Sequence, residues 1–212
     1  GFNDFFYWDR NYEAKMRLWS EQEYLPQVAV GIRDLVGTGI YGAEYVVASK
    51  EIGNFDLTLG MGWGRLAGKG DFKNPFSLIS SRFETRTAVQ GGMGNTGVFQ
   101  PGQWFSGSRA GIFGGLKYTT ESLPISLILE YNPDQYEWDR EYGGDRLGGD
   151  VPEPQSPIST ALTWHATPDL ALTFSRQHNQ DWGIELSAKV DSKSLPKKPS
   201  QPLFKSSLEF AQ

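Results

Sequence analysis

The chain has 212 residues, carries 20 Lys and Arg against 25 Asp and Glu, and has a formal net charge of -5. That balance lacks the basic footprint of a nucleic-acid binder, so no nucleic-acid partner is expected; the absence of cysteine excludes disulfides, thiolate zinc sites and thiol nucleophiles together. Twenty-five Gly, 12 Pro and 14% aromatic residues suit an all-β chain rich in turns, forming one large domain or two small ones.

Gly1 to Asp9 is aromatic and lacks the basic-then-apolar order of a signal peptide, which reads as a mature product or an internal fragment. Tyr12, Ala14, Met16 and Leu18 then alternate with Glu13, Lys15 and Arg17, although Tyr12, Met16 and Trp19 also fit one face of a helix. Val28, Val30 and Ile32 alternate with Gln27, Ala29, Gly31 and Arg33, and Tyr41, Ala43, Tyr45 and Val47 alternate with Gly42, Glu44, Val46 and Ala48. A Gly53-Asn54 turn leads, as a tight hairpin, into Phe55, Leu57, Leu59, Met61 and Trp63, interleaved with Asp56, Thr58, Gly60, Gly62 and Gly64. Successive side chains of a strand point to opposite faces, so this run has one apolar face and one polar or bare face. It is as long as the roughly 9–11 residues a tilted strand needs to cross a hydrocarbon layer, whereas strands of soluble proteins have a mode of about 5–6.

Ala67 to Ser108 breaks the rhythm: it is Gly-rich and polar, with one more strand expected near Leu78–Arg86. Alternation resumes at Ala110, Ile112, Gly114, Leu116 and Tyr118, and again at Ile125, Leu127, Leu129 and Tyr131 against Ser126 and Glu130. A second long loop, Asn132 to Pro157, carries charges, paired glycines and prolines. Ile158, Thr160, Leu162 and Trp164 then face away from Ser159, Ala161, Thr163 and His165, and a turn at 167–169 returns the chain through Leu170, Leu172 and Phe174. Trp182, Ile184, Leu186, Ala188 and Val190 oppose Gly183, Glu185, Ser187 and Lys189; after a Ser-, Lys- and Pro-rich linker, a last run holds Phe204, Leu208 and Phe210. The total is about ten strands spaced as the hairpins of a meander.

No apolar run approaches the roughly 18 residues of a membrane helix. The mean hydropathy of -0.45 is compatible with a transmembrane barrel, whose strands bare half their side chains to a watery lumen. Short turns at 53–54 and 167–169 against long loops at 67–108 and 132–157 match the end asymmetry of such barrels. Trp63, Tyr118, Tyr131, Trp164 and Trp182, each near the end of an apolar row, fit an interfacial aromatic girdle. On this reading Phe55, Leu57, Leu59, Met61, Trp63, Leu127, Leu129, Trp164 and Ile184 face lipid. Arg17, Arg33, Glu44, Asp56, Thr58, Glu130 and Glu185 face the lumen, where they could hold or pass a polar polymer.

Catalytic signatures are weak. Gly62-Trp63-Gly64-Arg65-Leu66-Ala67 matches G-x-G-x-x-A, but Gly68, Gly70, Asn74 and Pro75 preclude the helix that a dinucleotide site needs, so no cofactor is expected. His165 and His178 stand thirteen positions apart with no Cys to support a metal site. No G-x-S-x-G elbow is present. Carboxylate-based glycoside hydrolysis needs only two acids, for which Glu44, Asp56, Glu130, Glu137, Asp139 and Glu141 are the candidates.

Two blocks carry a resemblance. The first is Y-L-P-Q-V-A-V-G-I-R-D-L-V-G-T-G-I-Y-G-A-E-Y-V-V-A-S-K at 24–50, running on into F-D-L-T-L-G-M-G-W-G-R-L at 55–66. The second is N-P-F at 74–76, W-F-S-G-S-R-A-G-I-F-G-G-L-K-Y at 104–118, L-P-I-S-L-I-L-E-Y-N-P-D-Q-Y at 123–136 and S-P-I-S-T-A-L-T-W at 156–164. Together they resemble the YjbH-like family of exopolysaccharide-biosynthesis proteins, which includes the outer-membrane barrel of group 4 capsule operons. The resemblance implies a large bacterial outer-membrane β-barrel for secretion or surface assembly of extracellular polysaccharide. Family members are much longer, so residues 1–212 would be a single barrel region within a longer protein. Implied partners are membrane lipid, polysaccharide, other outer-membrane or periplasmic secretion proteins and further chains completing the wall. The expected function is non-catalytic. The alternatives are a soluble β-sandwich binding carbohydrate through Trp104, Tyr136 and Trp138, and a carboxylate-based hydrolase.

Overall fold

The computed structural model describes residues 12–37, 41–68, 71–86, 98–99, 101–137, 140 and 153–190. Its strands are β1 (Ala14–Trp19), β2 (Gln27–Arg33), β3 (Val36–Gly37), β4 (Ala43–Ile52), β5 (Phe55–Gly62), β6 (Phe72–Lys73), β7 (Val98–Phe99), β8 (Arg109–Thr119), β9 (Ile125–Tyr131), β10 (Ile158–Thr167), β11 (Leu170–Gln177) and β12 (Asp181–Ala188). Nine of them form one antiparallel path, β1-β2-β4-β5-β8-β9-β10-β11-β12. β6 pairs with β8, and β3 with β7 makes a separate two-stranded ribbon. No helix among the described residues is long and apolar enough to cross a membrane. The expected last strand, with Phe204, Leu208 and Phe210, lies outside the described residues.

The hairpin turn fixes the register. Gly53 takes the left-handed conformation (φ 59°) at the first central position of a two-residue loop, as a type II′ turn requires. Ile52 therefore opposes Phe55, and the pairs run Lys50–Leu57, Ala48–Leu59 and Val46–Met61. Directly opposed residues share a face, so the register sorts the whole path into two surfaces. One carries Met16, Val30, Val46, Leu59, Ile112, Leu116, Leu129, Leu162, Phe174 and Ile184; the other carries Arg17, Ala29, Ser49, Thr58, Lys117, Glu130, Thr163, Thr173 and Glu185.

The two surfaces differ in exposure in a direction opposite to that of a soluble sheet. Leu59 is 60% exposed and Ile184 74%, while Ser126, on the polar surface, is 0% exposed. Crowding of small polar residues against open apolar ones is what curvature toward the polar side produces. That surface is also knitted by hydroxyl pairs: Ser49 Oγ to Thr58 Oγ1 at 2.8 Å, Thr163 Oγ1 to Thr173 Oγ1 at 2.9 Å and Thr119 Oγ1 to Ser126 Oγ at 3.2 Å. Tyr45 lies over its cross-strand partner Gly31, and Phe113 over Gly60, where a Cβ would sit 2.2 Å from either ring. The rings meet edge to face at 5.9 Å, so aromatic bulk replaces the missing glycine side chains.

Connections separate by end. Loops 20–26, 53–54, 120–124 and 168–169 are short; at the other end lie 34–42, 63–108 and 132–157, beside the tight turn 178–180. The long segment 63–108 contains no strand at 78–86. Instead two 3-10 turns form, Pro75–Leu78 and Ser81–Phe83. Asn74 and Ser80 accept N–H bonds from Phe76 and Arg82, and Pro75 sits where a missing N–H costs nothing, which favours a capped turn over extension. Extension from Asn54 also stops short of Gly64. β5 ends at Gly62, and Gly64 turns the chain with φ 64°, where a Cβ would meet the Gly42 carbonyl oxygen at 2.3 Å.

Candidate functional site

The wall itself, with an apolar and a polar surface, is the candidate site. Phe55, Leu57, Leu59, Met61, Leu127, Leu129, Trp164 and Ile184 share the apolar surface by register. All but Met61 are among its exposed large side chains. Rings stand near both ends: Phe55 and Tyr118 meet at 4.9 Å beside Trp164 at the short-turn end, and Tyr131 and Trp182 stand at the long-loop end. Lys50 also lies on this surface at the short-turn end, where its ammonium reaches Glu21 Oε1 at 2.8 Å. That hydrogen bond holds the Glu21 carboxyl below its ordinary pKa.

Trp63 departs from the expected row. It is 0% exposed. Phe76 stacks on its indole at 5.2 Å, Phe105 meets it edge-on at 5.1 Å, and its Nε1–H donates to Asn74 Oδ1 at 2.8 Å. Segment 74–86 with 101–107 has folded over the apolar surface at the long-loop end, and Trp63 is its anchor rather than an exposed ring. Asn74 is also fully buried; its Nδ2 donates to the carbonyls of Phe105 and Gly107 at 2.9 Å and of Phe83 at 3.1 Å.

Glu44 also departs from the expected surface. The register puts it beside Ile32 on the apolar surface, not on the polar one. Its carboxylate is 1% exposed, receives Arg86 Nη1 at 2.7 Å and Nη2 at 3.0 Å, and accepts the Phe105 N–H at 2.9 Å. A buried carboxylate is tolerable only when paired and hydrogen-bonded in this way. It secures the folded-over segment.

The other polar candidates share the polar surface but do not converge. Asp56 opposes Lys117, Thr58 opposes Gly115, and Glu130 lies beyond Gly115 in the same row. Arg17 opposes Ala29. Arg33 stands 5.9 Å over Tyr45 and 3.9 Å from Glu13, and Glu185 opposes Thr173 and accepts from Ser187 Oγ at 2.6 Å. His165 Nε2 meets Ser126 Oγ at 2.9 Å, far along β10 from His178. Among the aromatics of the sandwich alternative, Trp104 is half-buried edge-on to Phe99, and Trp138 lies outside the described residues, as do Asp139 and Glu141.

Among the described residues a concavity lies on the polar surface at the long-loop end of β9, β10 and β11. It encloses about 250 Å³, and Glu130, Ser159, Ser175, Gln177, Tyr136 and His178 are among its lining residues. Tyr136 and His178 both have positive φ, 52° and 51°. That conformation costs non-glycine residues of order 1–3 kcal/mol and persists only where surroundings over-determine it. Here they do. His178 Nε2 meets Tyr136 Oη at 3.2 Å, its Nδ1 meets the Ser156 carbonyl at 3.0 Å, and its N–H donates to Ser159 Oγ at 3.0 Å. Asp134 accepts the Tyr136 N–H at 2.9 Å and pairs with Arg65, whose guanidinium lies 5.5 Å from the Tyr136 ring. Composition did signal both rings, but their meeting depends on a loop and a turn 42 positions apart.

The fold and its surfaces define an all-β antiparallel sheet, apolar and exposed on one side, and polar on the other, where Ser126 and Thr163 are buried while Asp56, Glu130 and Glu185 are exposed. The chain belongs to the family described as exopolysaccharide biosynthesis protein YbjH, whose model matches residues 1–207. It is 44% identical over 182 residues to the Escherichia coli (strain K12) protein named Uncharacterized lipoprotein YjbH. That match covers 85% of this chain and 24% of the relative, so the chain spans about a quarter of its length. No solved structure matches.

Proposed function

We propose that this chain forms part of the wall of a bacterial outer-membrane β-barrel that supports secretion or surface assembly of an exopolysaccharide, without catalysing a reaction. The observation that carries the reading is the exposed, predominantly apolar surface that runs along the strand path from β1 to β12. A soluble protein rarely leaves a contiguous apolar patch beyond a few hundred Å² open to water, and a bilayer covers such a surface without a second protein layer. The polar surface then lines water, where its hydroxyls and scattered charges hydrogen-bond a hydrated polymer. The aromatic rings at both ends, and short turns at one end against long loops at the other, support the same arrangement. The family's exopolysaccharide role and the relative's lipoprotein name support a membrane setting. Further strands or chains joining β1 and β12 would close the wall, and other secretion proteins would feed it. Glu44 is engaged by Arg86 and the other acids are dispersed, which favours a conduit over hydrolysis.

Fractionation tests this. The chain is expected in the membrane fraction, to need detergent for extraction and to aggregate when detergent is removed. A monodisperse, detergent-free monomer from the soluble fraction would contradict the proposal and favour the carbohydrate-binding sandwich.

A further inference from the structure

We infer that the concavity between β9, β10 and β11 is a saccharide subsite that takes a neutral or amino sugar unit in preference to a uronic acid. This rests on the reading of the polar surface as the side that meets polymer. Three features point to it. The first is size: about 250 Å³ falls just under the roughly 300–1,000 Å³ of sites for drug-sized ligands, a volume suited to one or two sugar rings. The second is construction. Ala161 and Ser175, directly opposed in register, give a floor of small residues. Gln177 and Ser159 bring amide and hydroxyl groups to the lining, and Tyr136 adds an aromatic ring. A sugar has the matching surface, hydroxyls around an edge and C–H groups on a face that packs against an aromatic ring. The third is rigidity. Tyr136 and His178, both left-handed, are locked to each other and to Ser156 and Ser159 across three separate chain segments. Strain held by such a network marks positions where geometry is fixed for use.

Charge sets the preference. Glu130 is the carboxylate among the lining residues, which include no lysine or arginine. Lys117 opposes Ile128 and so stands diagonal to Glu130, and the Arg65 guanidinium, 5.5 Å from the Tyr136 ring, is paired with Asp134. His178 Nδ1 meets the Ser156 carbonyl and its Nε2 the Tyr136 hydroxyl, so both ring nitrogens are engaged within the protein. A uronate carboxylate would approach Glu130 with no cation among the lining residues, whereas an ammonium or hydroxyl would be accepted.

Titration calorimetry on the detergent-solubilised protein tests the inference with three β-1,4-linked probes: cellotetraose, its amino counterpart (the chitosan tetramer) and its uronate counterpart (tetraglucuronate). The amino tetramer is expected to bind more tightly than cellotetraose, and the uronate most weakly. Tyr136→Ala should weaken cellotetraose binding roughly tenfold, the scale of a lost aromatic contact, and Tyr136→Phe should retain most of it. Glu130→Gln, at an exposed position, should remove the amino-over-uronate preference while leaving cellotetraose bound. Leu123→Ala, at an exposed position in the short loop 120–124 at the opposite end of the strands, should change nothing. Binding of all three probes undiminished by Tyr136→Ala would overturn this site while leaving the polymer-facing surface standing. Failure of all three probes to bind would overturn the site as well, and the fractionation test decides the wider reading independently.

Discussion

Leu59→Arg is expected to destabilise the chain in a bilayer by about 2–4 kcal/mol, the cost of a cation on the lipid face of a barrel near the midplane. Leu59 is central to β5, 60% exposed, and flanked in register by Ala48 and Gly114, so no neighbour offers a counter-charge. The arginine would have to carry its charge into hydrocarbon or snorkel past several residues. Asp56→Ala is the matched control. Asp56 lies on the opposite surface, is exposed, and stands across from Lys117 on one side and Glu51 on the other, so its loss should cost only about 0–1 kcal/mol. Urea unfolding in lipid vesicles reads both. A large effect at 59 with a small one at 56 fits two solvents on two sides. Equal tolerance at both positions would remove the distinction.

Asn74→Leu is expected to cost on the order of 3–5 kcal/mol, because the branched four-atom side chain is kept while several buried partners lose their bonds at about 1–3 kcal/mol each. The Trp63 Nε1–H, the Phe76 N–H and the carbonyls of Phe83, Phe105 and Gly107 all meet this one side chain. The damage should be local. The strand path is held by its own ladders, while segment 74–86 is held by Asn74, by Trp63 against Phe76, and by the Glu44–Arg86 pair. Hydrogen exchange should accelerate through 74–86 and 101–107 and leave β9 to β12 protected. Uniform loss of protection would mean that the folded-over segment is part of a core shared with the whole sheet.

The strand path was legible because its signal is local and repeated. Phe55 to Met61, Leu127 with Leu129, and Ile184 announce a period of two that depends only on the pleat. Glu44 lies on the apolar surface although its charge marks it for the polar side. Tyr45 and Val47 made the neighbouring positions look like the apolar row, yet they cover Ala29 and Gly31 on the polar surface. The correct face was recoverable by counting back from the Gly53-Asn54 turn: Ile52 opposes Phe55, so Ala48 opposes Leu59 and Glu44 falls level with Trp63. Nothing local marked Trp63 as buried or Arg86 as the partner of Glu44. Both contacts come from a segment whose Asn-Pro-Phe and Ser-Arg-Phe turns read as loop. The cleft was less legible still, since a meeting of Tyr136 with His178 requires loop conformations that alternation does not encode.

Because the chain contains no cysteine, single cysteines carrying a nitroxide can be introduced at successive positions from Phe55 to Gly62 without background labelling. In vesicles, collision with oxygen dissolved in the acyl chains and with a water-soluble nickel chelate should alternate with a period of two. Oxygen should dominate at 55, 57, 59 and 61, and nickel at 56 and 58. Low accessibility to both reagents at 55, 57 and 59 would mean that protein, rather than lipid, covers the apolar surface, and would contradict the membrane assignment.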